Sequence, residues 1–188
     1  NPKSLVIGDV RYPAKIFQYW SKSELNAIGI YEIVNDLTNY KDNEYYINTN
    51  EQYNFADNQV TKSWGTATAR RLNDENAVDD NGDPILDQDG VQLINYGLKT
   101  EKKRIVKDQA SGLLAPTDWY IVKSTEVADY NVPDNILSFR ADVRSKSNEM
   151  ETQIDACTTV DELKALYEYT EQEDGTQTRP LAEFPKEI

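Results

Sequence analysis

At Gly97 the hydrophobic period of this chain changes, and that change limits the folds open to it more than any other feature. Before it, apolar residues come in short runs with partial alternation, as in Glu44-Tyr45-Tyr46-Ile47-Asn48 and Gln59-Val60-Thr61-Lys62-Ser63-Trp64, the pattern of half-buried strands. After it, Leu98, Ile105, Val106, Ala110, Leu113 and Leu114 fall close to one face of a helix. Ile136, Phe139, Val143, Met150, Ile154 and Cys157 do the same along a second helix. Strands first and helices after, without alternation of the two, predict an α+β fold rather than a parallel α/β sheet. The expected form is a small N-terminal antiparallel β-sheet with a short helix, followed by a C-terminal helical hairpin or three-helix module.

Local signals place the boundaries. Ser21 and Glu24 form a capping box, with Trp20 and Leu25 spaced as a hydrophobic staple and Gly29 as the stop. This predicts one or two helical turns between strand-like stretches at Leu5 to Ile7 and Ile30 to Val34. Turn formers at Asp42-Asn43, Asn48 to Asn50 and Asp57-Asn58 divide the following residues into an antiparallel meander. A second capping box at Thr159 and Glu162 opens a short helix through Tyr169, with Leu163, Leu166 and Tyr167 inward. Pro116 is expected to end the first long helix, with Thr117 or Asp118 in a turn from which Trp119 packs back on the helices. The resulting division is residues 1–72 as a β-rich domain, 73–97 as an acidic hairpin linker, 98–170 as a helical module and 171–188 as an extended tail.

The acidic stretch holds Asp74, Glu75, Asp79, Asp80, Asp83, Asp87 and Asp89. Clustered oxygen ligands suit a hard cation, so Asp79, Asn81, Asp83, Asp87 and Asp89 form a candidate calcium set. The EF-hand spacing fails, because Pro84 stands where the loop glycine belongs and Gly90 where the bidentate glutamate belongs. Asn81-Gly82 and Asp89-Gly90 read better as favoured two-residue hairpin turns, with Pro84 to Gln88 as a short strand between them. The expectation is turns, with no bound metal and no cofactor.

Composition narrows the function classes. The chain has no histidine, which removes the usual general base near neutral pH and the commonest zinc ligand. No motif singles out a pair of carboxylates for glycoside hydrolysis, and the expectation is a protein that is not an enzyme. A net charge of −13 repels phosphate backbones, and the one dense basic run, Lys99 to Lys107, is diluted by Glu101. Nucleic acid is therefore not an expected partner. No window approaches the roughly twenty apolar residues of a membrane helix, and the first residues lack the apolar core of a signal peptide. Cys157 is the single cysteine and sits at an apolar helical position, which reads as a packed thiol. Twelve tyrosines and three tryptophans argue for a folded chain. Of these, Tyr45, Tyr46, Tyr53 and Trp64 form a candidate surface for a protein partner or a glycan, or else the core of the small sheet.

One segment carries a resemblance. Leu113-Leu114-Ala115-Pro116-Thr117-Asp118-Trp119-Tyr120, followed in the next helix by Phe139-Arg140-Ala141-Asp142-Val143-Arg144, resembles the small helical module of bacteriophage tail assembly chaperones and related phage tail proteins. It spans Leu98 to Leu166. The phrase from Trp20 to Tyr31 also resembles the opening of phage tail and tail-fibre assembly proteins. The resemblance implies a phage protein that binds other tail or fibre proteins, present in the virion tail region or in the host cytoplasm during assembly, with self-association allowed. It also implies that Asp118, Trp119, Arg140 and Arg144 form an architectural lock between two helices.

Overall fold

A computed structural model describes residues 4–186. The fold is α+β, and the chain divides into two compact units, residues 1–69 and 70–188.

The first unit starts with a hairpin of β1 (Leu5–Ile7) and β2 (Val10–Tyr12). Two short helices follow, α1 (Ile16–Tyr19) and α2 (Lys22–Ala27). The α2 capping box is complete: Ser21 accepts from the Glu24 amide and Glu24 from the Ser21 amide. Gly29, at φ +83°, turns the chain out of the helix. Then come β3 (Ile33–Asn35), β4 (Tyr46–Ile47), β5 (Gln52–Ala56), β6 (Gln59–Ser63) and β7 (Thr68–Ala69). β5 and β6 form a tight hairpin through Asp57 and Asn58, both at positive φ, the left-handed pair of a type I′ turn. β4 pairs antiparallel with β7.

The sheet departs from the expected meander at one place. β3 pairs parallel with β6, giving the order β3-β6-β5. β4 is diverted to β7, so β3 reaches β6 only after a long excursion that reverses its relative direction, and a two-residue turn cannot make such a connection.

The second unit opens with β8 (Glu75–Asn76) and closes the acidic stretch with β9 (Ile94–Asn95). The acidic stretch, expected as a hairpin linker over residues 73–97, forms hairpin pairings and lies within the second unit. Two copies of one eight-residue pattern, Ala77 to Pro84 and Ile85 to Gln92, run into Leu93. In each, an aspartate accepts main-chain N–H bonds from its own turn: Asp79 from Asn81 and Asp83, Asp87 from Asp89 and Val91. Gly82 and Gly90 supply the positive φ. The Ile85 amide donates to Ala77 O, Leu93 to Ile85 O and Ala77 to Leu93 O, at 2.9, 2.9 and 2.8 Å. Three hairpin arms thus meet in a closed triangle of backbone bonds. At its centre Gln92 Nε2 lies 2.8, 3.2 and 2.8 Å from the carbonyls of Ala77, Ile85 and Leu93.

Next is α3 (Leu98–Leu114), whose start is capped from a distance. Asp74 accepts from the Gly97 amide at 2.8 Å and the Thr100 hydroxyl at 2.9 Å, while Arg71 O and Leu72 O accept from Leu98 and Lys99. These bonds satisfy amides that a helix leaves without internal partners. Gly97 permits the approach: a Cβ there would lie 2.5 Å from the Asn73 carbonyl.

A single 3-10 turn, Ala115–Thr117, joins α3 to α4 (Asp118–Glu126). Pro116 ends the α-helix as expected, but the chain stays helical, because proline fits the opening turn of a new helix where its missing N–H costs nothing. α5 (Asp134–Ala156) runs back along α3, and α6 (Val160–Ala165) follows behind the capping box of Thr159 and Glu162. The core is built by Val106 and Ala110 of α3, by Phe139, Val143, Met150 and Ile154 of α5, and by Leu163 of α6. Lys103 pairs with Asp155 and Lys107 with Glu151, while Lys99 Nζ donates to Asp155 O, so the basic run of α3 borders the acidic edge of α5. Ile105 is exposed; the inward position one turn before Val106 belongs to Lys102, whose ammonium lies 4.3 Å from the Tyr167 ring centre.

The tail is not simply extended. β10 (Thr170–Glu171) and β11 (Gln177–Thr178) form a hairpin around Asp174 and Gly175. Leu181 is buried, its amide donating to Leu166 O, and the Gln153 amide bonds Pro180 O and the Ala182 N–H. Apolar anchors spaced along a polar segment are enough to hold it against the helices.

Candidate interaction sites

The residues of the Thr-Asp-Trp segment and its arginines separate into distinct roles. Where Pro116 breaks α3, Leu114 O loses its ordinary helical donor. The Thr117 hydroxyl donates to it at 2.8 Å and Arg140 Nη1 at 3.0 Å. The same Nη1 lies 2.6 Å from Thr117 Oγ1 and 2.8 Å from Asp118 Oδ1. Arg140 is buried and Thr117 is buried beside it. One guanidinium therefore ties α5 to the α3-α4 junction, which fixes how the helices meet.

Asp118 and Arg140 are brought together; Trp119 and Arg144 are not part of that contact. Trp119 is half exposed, stacked on Tyr120 with ring centres 3.9 Å apart, and Lys123 lies 5.7 Å from its ring. Arg144 is exposed and donates back to Arg140 O at 3.3 Å. Thr117, absent from the expected set, is a buried member of the lock, bonded to both Leu114 O and Arg140. Its signal in the sequence is a hydroxyl directly after a helix-breaking proline.

In the first unit the four expected aromatic residues do not share a surface. Tyr45 and Tyr46 are buried; Tyr45 belongs to the turn after Asp42 rather than to a strand, so alternation does not expose one of the pair. Tyr53 is exposed, its hydroxyl donating to Glu51, and Trp64 is half-buried against Tyr40 with ring centres 4.8 Å apart. Lys62 links the two, 5.7 Å from the Tyr53 ring and 4.9 Å from the Trp64 ring, and pairs with Glu51 at 2.8 Å. Its hydrogen bond, with that of Tyr53, holds the Glu51 carboxyl below its usual range, and Glu51 in turn holds the Lys62 ammonium above its own.

The three-stranded sheet has two open sides. The Val60 amide donates to Glu32 O at 3.1 Å and the Asp36 amide to Lys62 O at 2.8 Å. Alternate residues of a parallel strand face its partner, so Glu32, Val34 and Asp36 serve β6 while Ile33 and Asn35 turn their main-chain groups to the free edge. All three residues of β3 and all five of β5 are exposed. At the N-terminal end of β3 lies a groove of about 520 Å³, floored by Phe17, Leu25, Ile30 and Tyr31 and rimmed by the Lys22–Glu32 ion pair and Asn58.

The aspartate set offers no cage for a cation. Among the described residues there is no group of three or more His, Cys, Asp or Glu side chains placed to hold a metal. Asp79 and Asp87 turn inward to their own loops, where Oδ1 of each accepts two main-chain N–H bonds. The backbone amides of Asp83 and Asn81 hold the Asp79 carboxyl below its ordinary range. Among the described residues no helix is long and apolar enough to cross a membrane.

No protein-family model, curated protein or solved structure matches this chain.

Proposed function

We propose that this is a non-enzymatic bacteriophage tail-region protein that remains in the virion and works by binding other tail or fibre proteins through the sheet of its first unit. The helical second unit serves as the chaperone-like module. The observation that carries this reading is the edge of the sheet at β3, where among the described residues no strand pairs with the outer main-chain groups of Ile33 and Asn35, beside an apolar groove. An edge of this kind accepts an extended segment by strand addition, and the neighbouring groove takes a side chain from it. The resemblance of residues 98–166 to phage tail modules supplies the biological setting. The lack of histidine argues against an enzyme.

The second reading is a soluble assembly chaperone that uses the same edge transiently. Mass spectrometry of purified phage particles separates the two: a fixed copy number is expected for a virion component, and absence from particles would transfer the function to the chaperone. A glycan-binding role has less support, since Tyr45 and Tyr46 are buried and Trp64 is packed on Tyr40.

A further inference from the structure

We propose that the three-armed star of residues 75–95 is a second docking surface, for a protein whose contact patch is apolar at the centre and rich in lysine or arginine at the rim. This inference does not rest on the phage reading or on the β3 edge.

The eight-residue repeat places Val78, Leu86 and Ile94 at equivalent positions, one on each strand leaving the hub. Along each arm these three alternate with Ala77, Ile85 and Leu93, of which Ala77 is buried while Ile85 and Leu93 are themselves exposed. The exposures of Val78, Leu86 and Ile94 are 51%, 53% and 39%. The hub needs none of them for its own integrity, because the closed triangle of N–H to O bonds and the Gln92 amide hold it. Five large aliphatic residues left exposed on one compact hydrogen-bonded platform, Val78, Ile85, Leu86, Leu93 and Ile94, in a chain of low mean hydropathy, point to a contact surface rather than to scattered exposed residues.

Charge selects the occupant. Asp80 and Asp89 sit at the tips of two arms, with Asp79, Asp83 and Asp87 close behind, and the described residues of 75–95 contain no lysine or arginine to neutralise them. A second copy of this chain, at net charge −13, would bring aspartate tips against aspartate tips. A partner with basic residues around an apolar centre meets both features and is steered to them in solution.

The test uses the full chain and a fluorescent amphipathic helical peptide of leucine and lysine, with a leucine and glutamate peptide of the same hydrophobic pattern as control. Anisotropy titration is expected to show saturable binding of the lysine peptide that weakens as salt rises, and none of the glutamate peptide. The Val78→Asn/Leu86→Asn variant, checked for native circular dichroism, should lose about tenfold or more in affinity. The Asp80→Asn/Asp89→Asn variant keeps the turn-forming aspartates and should lose most of the salt dependence. Equal binding of both peptides, no binding of the lysine peptide, or native-like binding by both variants would overturn the proposal. So would a dimer in sedimentation that Val78→Asn/Leu86→Asn abolishes, since that assigns the surface to a second copy.

Discussion

Arg140 Nη1 lies 2.8 Å from Asp118 Oδ1, yet the two side chains live in different solvents: the arginine is 8% exposed and the aspartate 58%. The ion pair is therefore screened on the acidic side, and its contribution is small. What Arg140 does for the fold runs through the neutral oxygens of Leu114 and Thr117, to which it donates from a buried position.

The two partners should accordingly respond unequally to substitution. Asp118→Asn is expected to cost under about 1 kcal/mol, the range of an exposed pair. Arg140→Ala should cost about 2–4 kcal/mol, because it removes a buried side chain together with its charged donor to Leu114 O and Thr117 Oγ1. Urea unfolding of both variants measures the difference, and equal losses would contradict this division. Thr117→Val should fall between the two.

Gln92 is a single amide serving three carbonyls. Gln92→Leu should destabilise the protein by about 1–3 kcal/mol by leaving those oxygens short of a donor. Gln92→Glu should be worse at neutral pH, since a carboxylate brings only acceptors to the same place. Amide hydrogen exchange at Ala77, Ile85 and Leu93 reports the hub directly, and faster exchange is expected there before global stability is lost.

Gly97→Ala is expected to lower the melting temperature although the backbone angles there suit any residue. The obstacle is contact: a Cβ would stand 2.5 Å from the Asn73 carbonyl carbon and oxygen. Main chain on the other side cannot step aside as a flexible side chain would. The cost is about 1–3 kcal/mol, and Gly112→Ala, which meets nothing within 4 Å, is the control that should stabilise α3 slightly.

Acid should unfold the protein through its caps. Asp74 is held below its ordinary range first by the Gly97 amide, Asp79 by the Asp83 amide and Glu162 by the Thr158 amide. A carboxyl with a depressed folded pKa gives its full contribution above its unfolded value and loses it as pH falls through the folded one. Stability is thus expected to be flat, as far as these groups are concerned, above about pH 5 and to decline below about pH 4. Asp74→Asn should flatten part of that decline, as read by thermal melts across pH.

Cys157 should react slowly with thiol reagents in the folded state. Burial raises its pKa, and the nearby Glu162 charge raises it further, so little thiolate is present at neutral pH. Alkylation is expected to accelerate with urea in step with unfolding; fast labelling in native buffer would contradict the buried placement.

Much of this architecture could be read from local pattern. Both capping boxes, the strand character of Leu5–Ile7, the hairpin turn at Asp57-Asn58 and the buried stripe of α5 depend on residues within one or two turns of each other, and short-range chemistry dictates them. The star shows where such reading stops. Its two turns were legible as Asn-Gly and Asp-Gly, but their union into a closed hub depends on bonds among Ala77, Ile85 and Leu93 that no single turn implies.

The same boundary runs through the lock and the sheet. The change of hydrophobic period at Gly97 was enough to place the long helices α3 and α5 after it and the three-stranded sheet before it, because burial of one face sets the period of each element. Which oxygen Arg140 would satisfy, that Trp119 would stay half exposed, and that β3 would join β6 in parallel and leave an edge open are matters of spatial neighbourhood. They are set when distant segments compete for the same hydrogen bonds and the same apolar cover, a competition whose outcome is written in three dimensions and not along the chain.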